Sequence, residues 1–137
     1  MSVLCKQSLG RLSAQPEFAQ NPAMNARDLQ TLDESSYYRR LAGVQGMSLV
    51  LFSSTACGTC RVVERQLPLS APSGAKLFKV DVQVASALAR AFEVFHLPTL
   101  LLYRDGHYHA RLNCPITPPA LHAAIEQALR NPPEEEP

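Results

Sequence analysis

The sequence predicts an α/β domain in which a central mixed β-sheet is flanked by helices on both faces. Short apolar runs that suit strands alternate along the chain with amphipathic stretches that suit helices. The run Met47–Ser53 is apolar on both faces, which is typical of a strand buried in a parallel sheet. Asp105-Gly106 separates two further strand-like runs and predicts a hairpin, so part of the sheet is expected to be antiparallel.

The predicted elements follow the order β-α-β-α-β-α-β-β-α. Asp33-Glu34-Ser35-Ser36 supplies an N-terminal cap for the first helix, which runs through about Ala42 and stops at Gly43. Pro68 is expected to end the second helix, whereas Pro118 and Pro119 suit the first turn of the last one. The other helices are Gly58 to about Leu67, Ala85–Phe92 and Pro118–Arg130. The strands are Asp28–Leu32, Met47–Ser53, Leu77–Val82, Thr99–Tyr103 and His107–Leu112.

Length and composition allow one domain with a real core. The chain has 137 residues, is 46% apolar and carries a net charge of +1, so no strong field points to nucleic acid or an anionic membrane. No segment approaches the roughly 18 apolar residues of a membrane span. We divide the chain into an N-terminal extension (1–27), a folded domain (28–131) and a disordered acidic tail (132–137). The first ten residues lack the pattern of a secretory signal, so we expect a reducing, cytoplasmic location.

The motif Cys57-Gly58-Thr59-Cys60 follows the buried strand directly, where a helix is expected to begin. Two thiols three residues apart can close a small ring. At a helix N-terminus the first sulfur meets free backbone N–H groups and the positive end of the dipole, which favour a thiolate. A thiolate attacks disulfides, and a second thiol within reach can release the product. The motif therefore predicts a reversible Cys57–Cys60 disulfide.

These features together resemble the thioredoxin family over about Asp28 to Arg130. The resemblance implies a thioredoxin-like fold and thiol–disulfide exchange on protein disulfides, with Cys57 as the attacking thiolate and Cys60 as the buried resolving thiol. It also implies that Pro98 is a cis proline beside the disulfide, where the preceding backbone can pair with an extended substrate. The landmarks, in chain order, are Cys57-Gly58-Thr59-Cys60, Lys79-Val80-Asp81-Val82, Leu97-Pro98-Thr99, Leu100-Leu101-Leu102-Tyr103, Asp105-Gly106 and the amphipathic C-terminal helix.

The resemblance also implies the surroundings of the cysteine pair. We expect a monomer that uses no cofactor or metal, acts on protein dithiols or disulfides, and receives electrons from a thioredoxin reductase when it works as a reductant. Zinc binding by Cys57 and Cys60 is an alternative that would need two more ligands, such as Cys114 with His96 or His109, but the preceding strand fits a redox motif better. The expected substrate groove comprises Ala56, Gly58, Thr59, His96, Leu97, Pro98 and Cys114.

The chain departs from the family pattern next to the cysteines. Ala56 stands where a tryptophan usually precedes the first cysteine, Ser53 replaces an earlier aromatic residue, and Thr59 replaces a proline. Leu51 stands at the position of the buried aspartate that assists proton transfer with the resolving cysteine. Without that carboxylate Cys60 lacks its usual base, and a thiol in apolar surroundings attacks slowly.

His96 and Cys114 each keep two interpretations. His96 is a candidate substitute base, or else a surface histidine. Cys114 is a third sulfur near the pair, or else a half-buried bystander, and Cys5 is expected to be a free structural thiol. The departures also keep open a different function, that of a non-enzymatic thioredoxin-like interaction module or chaperone accessory.

Overall fold

The computed structural model of the protein describes residues 28–137, so the predicted N-terminal extension and Cys5 lie outside the described residues. In the described part the elements follow the predicted order, and the predicted fold class is confirmed. The strands are β1 (Gln30–Leu32), β2 (Met47–Ser53), β3 (Lys76–Asp81), β4 (Thr99–Arg104) and β5 (His107–Leu112). The helices are α1 (Tyr37–Ala42), α2 (Gly58–Ser70), α3 (Ser86–Ala91) and α4 (Pro118–Arg130).

The strands form one mixed sheet in the order β1-β3-β2-β4-β5. β2 lies at its centre, parallel to β3 and antiparallel to β4. This register places Leu51 of β2 opposite Lys79 of β3 on one side and Leu100 of β4 on the other. The carboxyl end of this central strand leads directly into the Cys57 segment, so the cysteine motif begins from the most firmly held strand of the sheet.

The two faces of the sheet carry separate apolar clusters, because successive side chains of a strand point to opposite faces. Phe52 of β2 belongs to an aromatic cluster that includes Tyr37 of α1 and Leu88 of α3. Its neighbour Leu51 belongs to an aliphatic cluster formed with α2 and α4. Helices therefore cover both faces, as the sequence predicts. Within residues 28–137, no helix combines the length and apolar character needed to cross a bilayer.

The predicted end of α2 at Pro68 is wrong. The helix continues to Ser70, and the backbone N–H of Ala71 still donates to the carbonyl of Leu67 at 2.9 Å. Proline lacks an N–H and disfavours a helix interior, but a helix can pass through it when packing compensates. Here Leu67 is fully buried, and the Ser70 hydroxyl donates to the Ile116 carbonyl at 3.3 Å, so contacts on both sides of Pro68 hold the last turn.

The first helix begins after the predicted cap, but the cap works differently. Ser36 occupies the N-cap position without a side-chain bond to the helix. The Asp33 carboxylate instead accepts from the backbone N–H groups of Ser35 and Ser36, both at 3.0 Å. This is the local turn that aspartate favours, placed just before the helix. The other helix and strand ends differ from the predicted ones by at most two residues.

The acidic tail makes contact with the edge of the sheet. Residues 132–137 are exposed, yet the Glu134 N–H donates to the His109 carbonyl at 2.7 Å. The Glu134 carboxylate accepts from the Arg111 N–H at 3.1 Å. β5 is an edge strand, and within residues 28–137 the backbone N–H and C=O groups on its outer side have no neighbouring strand to pair with. The division of the chain into extension, domain and tail stays a prediction.

Candidate active site

Cys57 forms the N-cap of α2. Its backbone is extended, with φ −105° and ψ 111°, and its sulfur accepts a hydrogen bond from the backbone N–H of Cys60 at 3.2 Å. The Cys57 N–H in turn donates to the Ser54 carbonyl at 3.1 Å, which ties the residue to the end of β2. The sulfur is partly exposed and faces the first free N–H groups of the helix. This is the placement that the sequence predicts for the attacking thiol.

Cys60 lies one turn further and is fully buried. Burial raises the pKa of the Cys60 thiol to about 11, and its hydrogen bond with the Cys57 side chain acts in the same direction. A backbone hydrogen bond from Ser54 opposes this rise. The two sulfurs are unbonded, so the structure represents the dithiol form. In this form Cys60 is protonated at neutral pH.

The two thiols are expected to react with iodoacetamide at very different rates. At pH 7 a thiol of pKa about 11 is ionised in only about one molecule in ten thousand, and Cys60 is also shielded from the reagent. We expect Cys57 to be modified first and the rate at Cys60 to rise with pH toward about 11. Tandem mass spectrometry of the labelled peptide separates the two sites, and denatured protein serves as the control. Faster labelling of Cys60 in the folded protein would reverse the assigned roles.

The peptide bond between Leu97 and Pro98 is cis, as the resemblance implies. Pro98 is half-buried and borders two cavities. One, of about 350 Å³, is lined in part by His96, Pro98 and Asn113. The other, of about 180 Å³, is lined in part by Leu51, Pro98 and Cys114. Of the other predicted groove residues, His96 therefore lies in one cavity next to Pro98 and Cys114 lies in the other.

The remaining predicted groove residues are the chain neighbours of Cys57 and, next to Pro98, Leu97. Ala56, Gly58 and Thr59 are exposed, and Leu97 is half-buried. The Arg61 guanidinium donates to the Thr55 carbonyl at 2.9 Å, which fixes the loop before the cysteine. The residue before Cys57 is Ala56, whose methyl group offers a substrate less contact area than a large apolar side chain would.

Cys114 is a free, half-buried thiol that packs against the aliphatic cluster. Burial raises its pKa. A shielded thiol with a raised pKa is a weak nucleophile at neutral pH, because only the thiolate reacts readily. These surroundings favour the interpretation of Cys114 as part of the wall behind Pro98.

Glu64 is a polar residue of the site that is not among those predicted from the sequence. It follows Cys60 by four residues in α2 and therefore shares a face of the helix with it. Its carboxylate accepts from the Ser53 hydroxyl at 3.0 Å and pairs with the Lys79 ammonium at 3.2 Å. The spacing from Cys60 is the only signal in the sequence that points to this residue.

The described residues offer no set of ligands for a metal. Between residues 28 and 137 there is no group of three or more His, Cys, Asp or Glu side chains that could hold an ion. His109, one of the ligands considered for zinc, is buried with its ring Nε2 at 2.7 Å from the Ala128 carbonyl. The zinc alternative therefore gains no support from this part of the chain.

A buried thiol one helical turn after an N-capping thiol, in a mixed α/β fold that also has a cis proline directly before β4, defines a dithiol exchange site. Residues 28–127 match the family model described as Thioredoxin. The chain belongs to the thioredoxin family.

Individual relatives agree with this assignment. The chain is 34% identical over 105 residues to Thioredoxin AMT13 of Alternaria alternata, a match that covers 74% of this chain and 87% of the relative. It is 32% identical over 102 residues to Thioredoxin-2 of Saccharomyces cerevisiae, covering 73% and 93% respectively. The crystal structure of mitochondrial Thioredoxin 3 from Saccharomyces cerevisiae in its oxidized form superposes with a TM-score of 0.61 at 25% identity, covering 72% of this chain and 94% of that one.

The family and its relatives make this chain a thiol–disulfide oxidoreductase with a Cys57-x-x-Cys60 site. The alternative of a non-enzymatic interaction module gains no support from the comparisons.

Proposed function

We propose that the protein exchanges disulfides with protein substrates, with Cys57 as the nucleophile and Cys60 as the resolving thiol. The observation that carries this proposal is the Cys57 sulfur, partly exposed at the N-terminus of α2 and three residues before a fully buried thiol. Exposure suits the group that meets the substrate, and burial suits the group that acts only on the bound intermediate.

The reaction proceeds in two exchange steps. The Cys57 thiolate attacks one sulfur of the substrate disulfide, so a mixed disulfide forms and the other substrate sulfur leaves as a thiolate that takes a proton. Cys60 then loses its proton and attacks the Cys57 sulfur. The Cys57–Cys60 bond forms, the bond to the substrate breaks, and the second substrate thiol departs. The substrate gains two electrons and the protein loses them.

Substrate contact in this proposal falls on the groove around Pro98. The backbone of Leu97 before Pro98 pairs with an extended segment of the substrate, and His96 and Asn113 line the cavity next to Pro98. Because Ala56 offers little apolar area next to Cys57, the proposed substrates are a narrow set of partners. A thioredoxin reductase supplies electrons to a monomer in a reducing compartment such as the cytoplasm.

The test is insulin reduction by dithiothreitol, followed as turbidity. The wild-type protein is expected to accelerate it, whereas Cys57→Ser loses the acceleration because no nucleophile remains to form the mixed disulfide. Cys5→Ser removes a thiol outside the motif and serves as the matched control. Cys60→Ser is expected to accumulate substrates as mixed disulfides on Cys57. Equal rates for wild type and Cys57→Ser, or no mixed disulfides on Cys60→Ser, would contradict the proposal.

A further inference from the structure

Glu64 is held in a defined position by two elements of the sheet. Its side chain is 25% exposed and that of Lys79 is 36% exposed, so the pair lies at the border between the sheet and solvent. Ser53, at the end of β2, is buried and donates its hydroxyl to one carboxylate oxygen. The Lys79 ammonium, from β3, pairs with the other oxygen. Both carboxylate oxygens are therefore engaged, one by the Ser53 hydroxyl and the other by the Lys79 ammonium.

The same short segment also holds Cys60. Ser54 follows Ser53 directly, and its backbone makes a hydrogen bond to the Cys60 sulfur. Cys60 and Glu64 are four residues apart in α2, a spacing that places their Cβ atoms about 5 to 6 Å apart. Two neighbouring serines at the end of the central strand thus orient the thiol and the carboxylate toward one region.

β2 contributes no carboxylate of its own to that region, and its inward residue there is Leu51. In the sheet register Leu51 lies opposite Lys79, so the lysine faces an aliphatic neighbour there and pairs with Glu64 from the helix above. Position 51 carries no carboxylate, whereas the Glu64 carboxylate is held in place by Ser53 and Lys79.

We propose that Glu64 is the proton acceptor for the Cys60 thiol in the resolving step, a role that rests on the exchange reaction proposed above. As the Cys60 sulfur attacks the Cys57 sulfur of the mixed disulfide, its proton passes to the Glu64 carboxylate, directly or through one water. The Cys57–Cys60 bond forms and the bond from Cys57 to the substrate sulfur breaks. The departing thiolate is protonated from solvent, and Glu64 returns its proton to solvent.

A surface cavity of about 500 Å³, lined in part by Glu64, supplies the route for that return. The charged groups that face it come from α2, from β3 and from the segment before β1. Besides Glu64 they are three cations and the carboxylate of Asp28. The residues lining the cavity are Asp28, Leu29, Arg61, Glu64, Arg65 and Lys79.

A purely electrostatic role for Glu64 would have the opposite effect on the reaction. Burial is the main cause of the raised pKa of Cys60, and the negative charge of Glu64 adds to it. If Glu64 acted only as a charge, its removal would ease ionisation of Cys60 and speed the resolving step. If Glu64 accepts the proton, its removal slows that step. The sign of the change therefore separates the two roles.

The experiment uses dithiobis(nitrobenzoate) and the full-length chain carrying Cys5→Ser and Cys114→Ser, so that only the pair reacts. Attack by Cys57 releases the first coloured thiolate, and attack by Cys60 on the resulting mixed disulfide releases the second. Glu64→Gln is expected to slow the second release by about 100-fold, the lower end of what a general base contributes, and to change the first by less than twofold. Glu126→Gln, an exposed glutamate of α4, is the control for net charge.

Two further variants and a pH profile make the test specific. Glu64→Asp keeps the carboxylate and is expected to retain part of the second rate, and Ser53→Ala is expected to slow it severalfold by releasing the carboxylate. In the chain that carries only Cys5→Ser and Cys114→Ser, the rate of the second thiolate release is expected to change little between about pH 6 and pH 8. In the Glu64→Gln variant of that chain, the same rate is expected to rise about tenfold per pH unit with the ionised fraction of Cys60.

An unchanged or faster second release in Glu64→Gln would overturn the proposal, as would an equal slowing of both releases. The outcome is independent of the natural substrate. Failure of insulin reduction with both releases intact would contradict the proposed function and leave the role of Glu64 standing.

Discussion

Replacing Leu51 by aspartate is expected to lower the free energy of unfolding by about 3 to 5 kcal/mol, the cost of an uncompensated buried charge. Leu51 is fully buried and belongs to the aliphatic cluster with Val63, Leu67 and Leu100. The Lys79 ammonium on the neighbouring strand is already paired with Glu64. Urea unfolding of Leu51→Asp and wild type measures the difference.

The pH dependence of this loss identifies its cause. Burial raises the pKa of the introduced carboxyl, so the charged form is penalised in the folded state. The deficit relative to the neutral control Leu51→Asn is therefore largest at neutral pH and shrinks as the pH falls toward about 4, where the unfolded carboxyl takes up its proton. In the Glu64→Gln background the same substitution is expected to restore part of the second thiolate release. A deficit independent of pH would exclude the charge as its cause.

Replacing Phe92 by alanine is expected to cost about 3 to 5 kcal/mol of unfolding free energy, as large aromatic truncations in a core do. Phe92 directly follows α3 and is 1% exposed. Its ring lies 5.3 Å from that of Tyr37, 5.9 Å from that of Phe52 and 6.3 Å from that of Tyr108, measured between centroids. Its loss leaves a cavity between two helices and the sheet.

Phe95→Ala is the matched control, because that phenylalanine is 80% exposed and lies three residues further along the chain. Its effect on the unfolding free energy is expected to stay within about 0.5 kcal/mol. Denaturant unfolding of the two variants side by side measures the contrast. Similar losses for Phe92→Ala and Phe95→Ala would contradict the assignment of Phe92 to the core.

Strong local signals in the sequence are sufficient to predict several elements and their ends. The doubly apolar run predicts β2 with its observed bounds, Asp105-Gly106 predicts the hairpin, and the prolines predict the start of α4. Positive φ values at both turn residues fit that hairpin. The end of α2 could not be predicted in this way, because the burial of Leu67 against other elements outweighs the local effect of Pro68.

The residues of the site also differ in whether local sequence is enough to predict them. The cysteine motif predicts its own placement, since the strand before it and the helix after it are adjacent in the chain. Glu64 could not be identified, because a glutamate on a helix is ordinarily solvated. Its partners Ser53 and Lys79 come from two different strands, and only the register of the sheet brings them to the same carboxylate.

The hydrogen bonds between Glu134 and β5 affect whether two copies of the protein can associate through this strand in concentrated solution. An open strand edge is a template on which a second chain can continue the sheet. Glu134 occupies the His109 carbonyl and the Arg111 N–H, and Glu134-Glu135-Glu136 places negative charge there. Copies approaching edge to edge meet repulsion and a backbone that is already bonded. The last residues thus disfavour aggregation through β5.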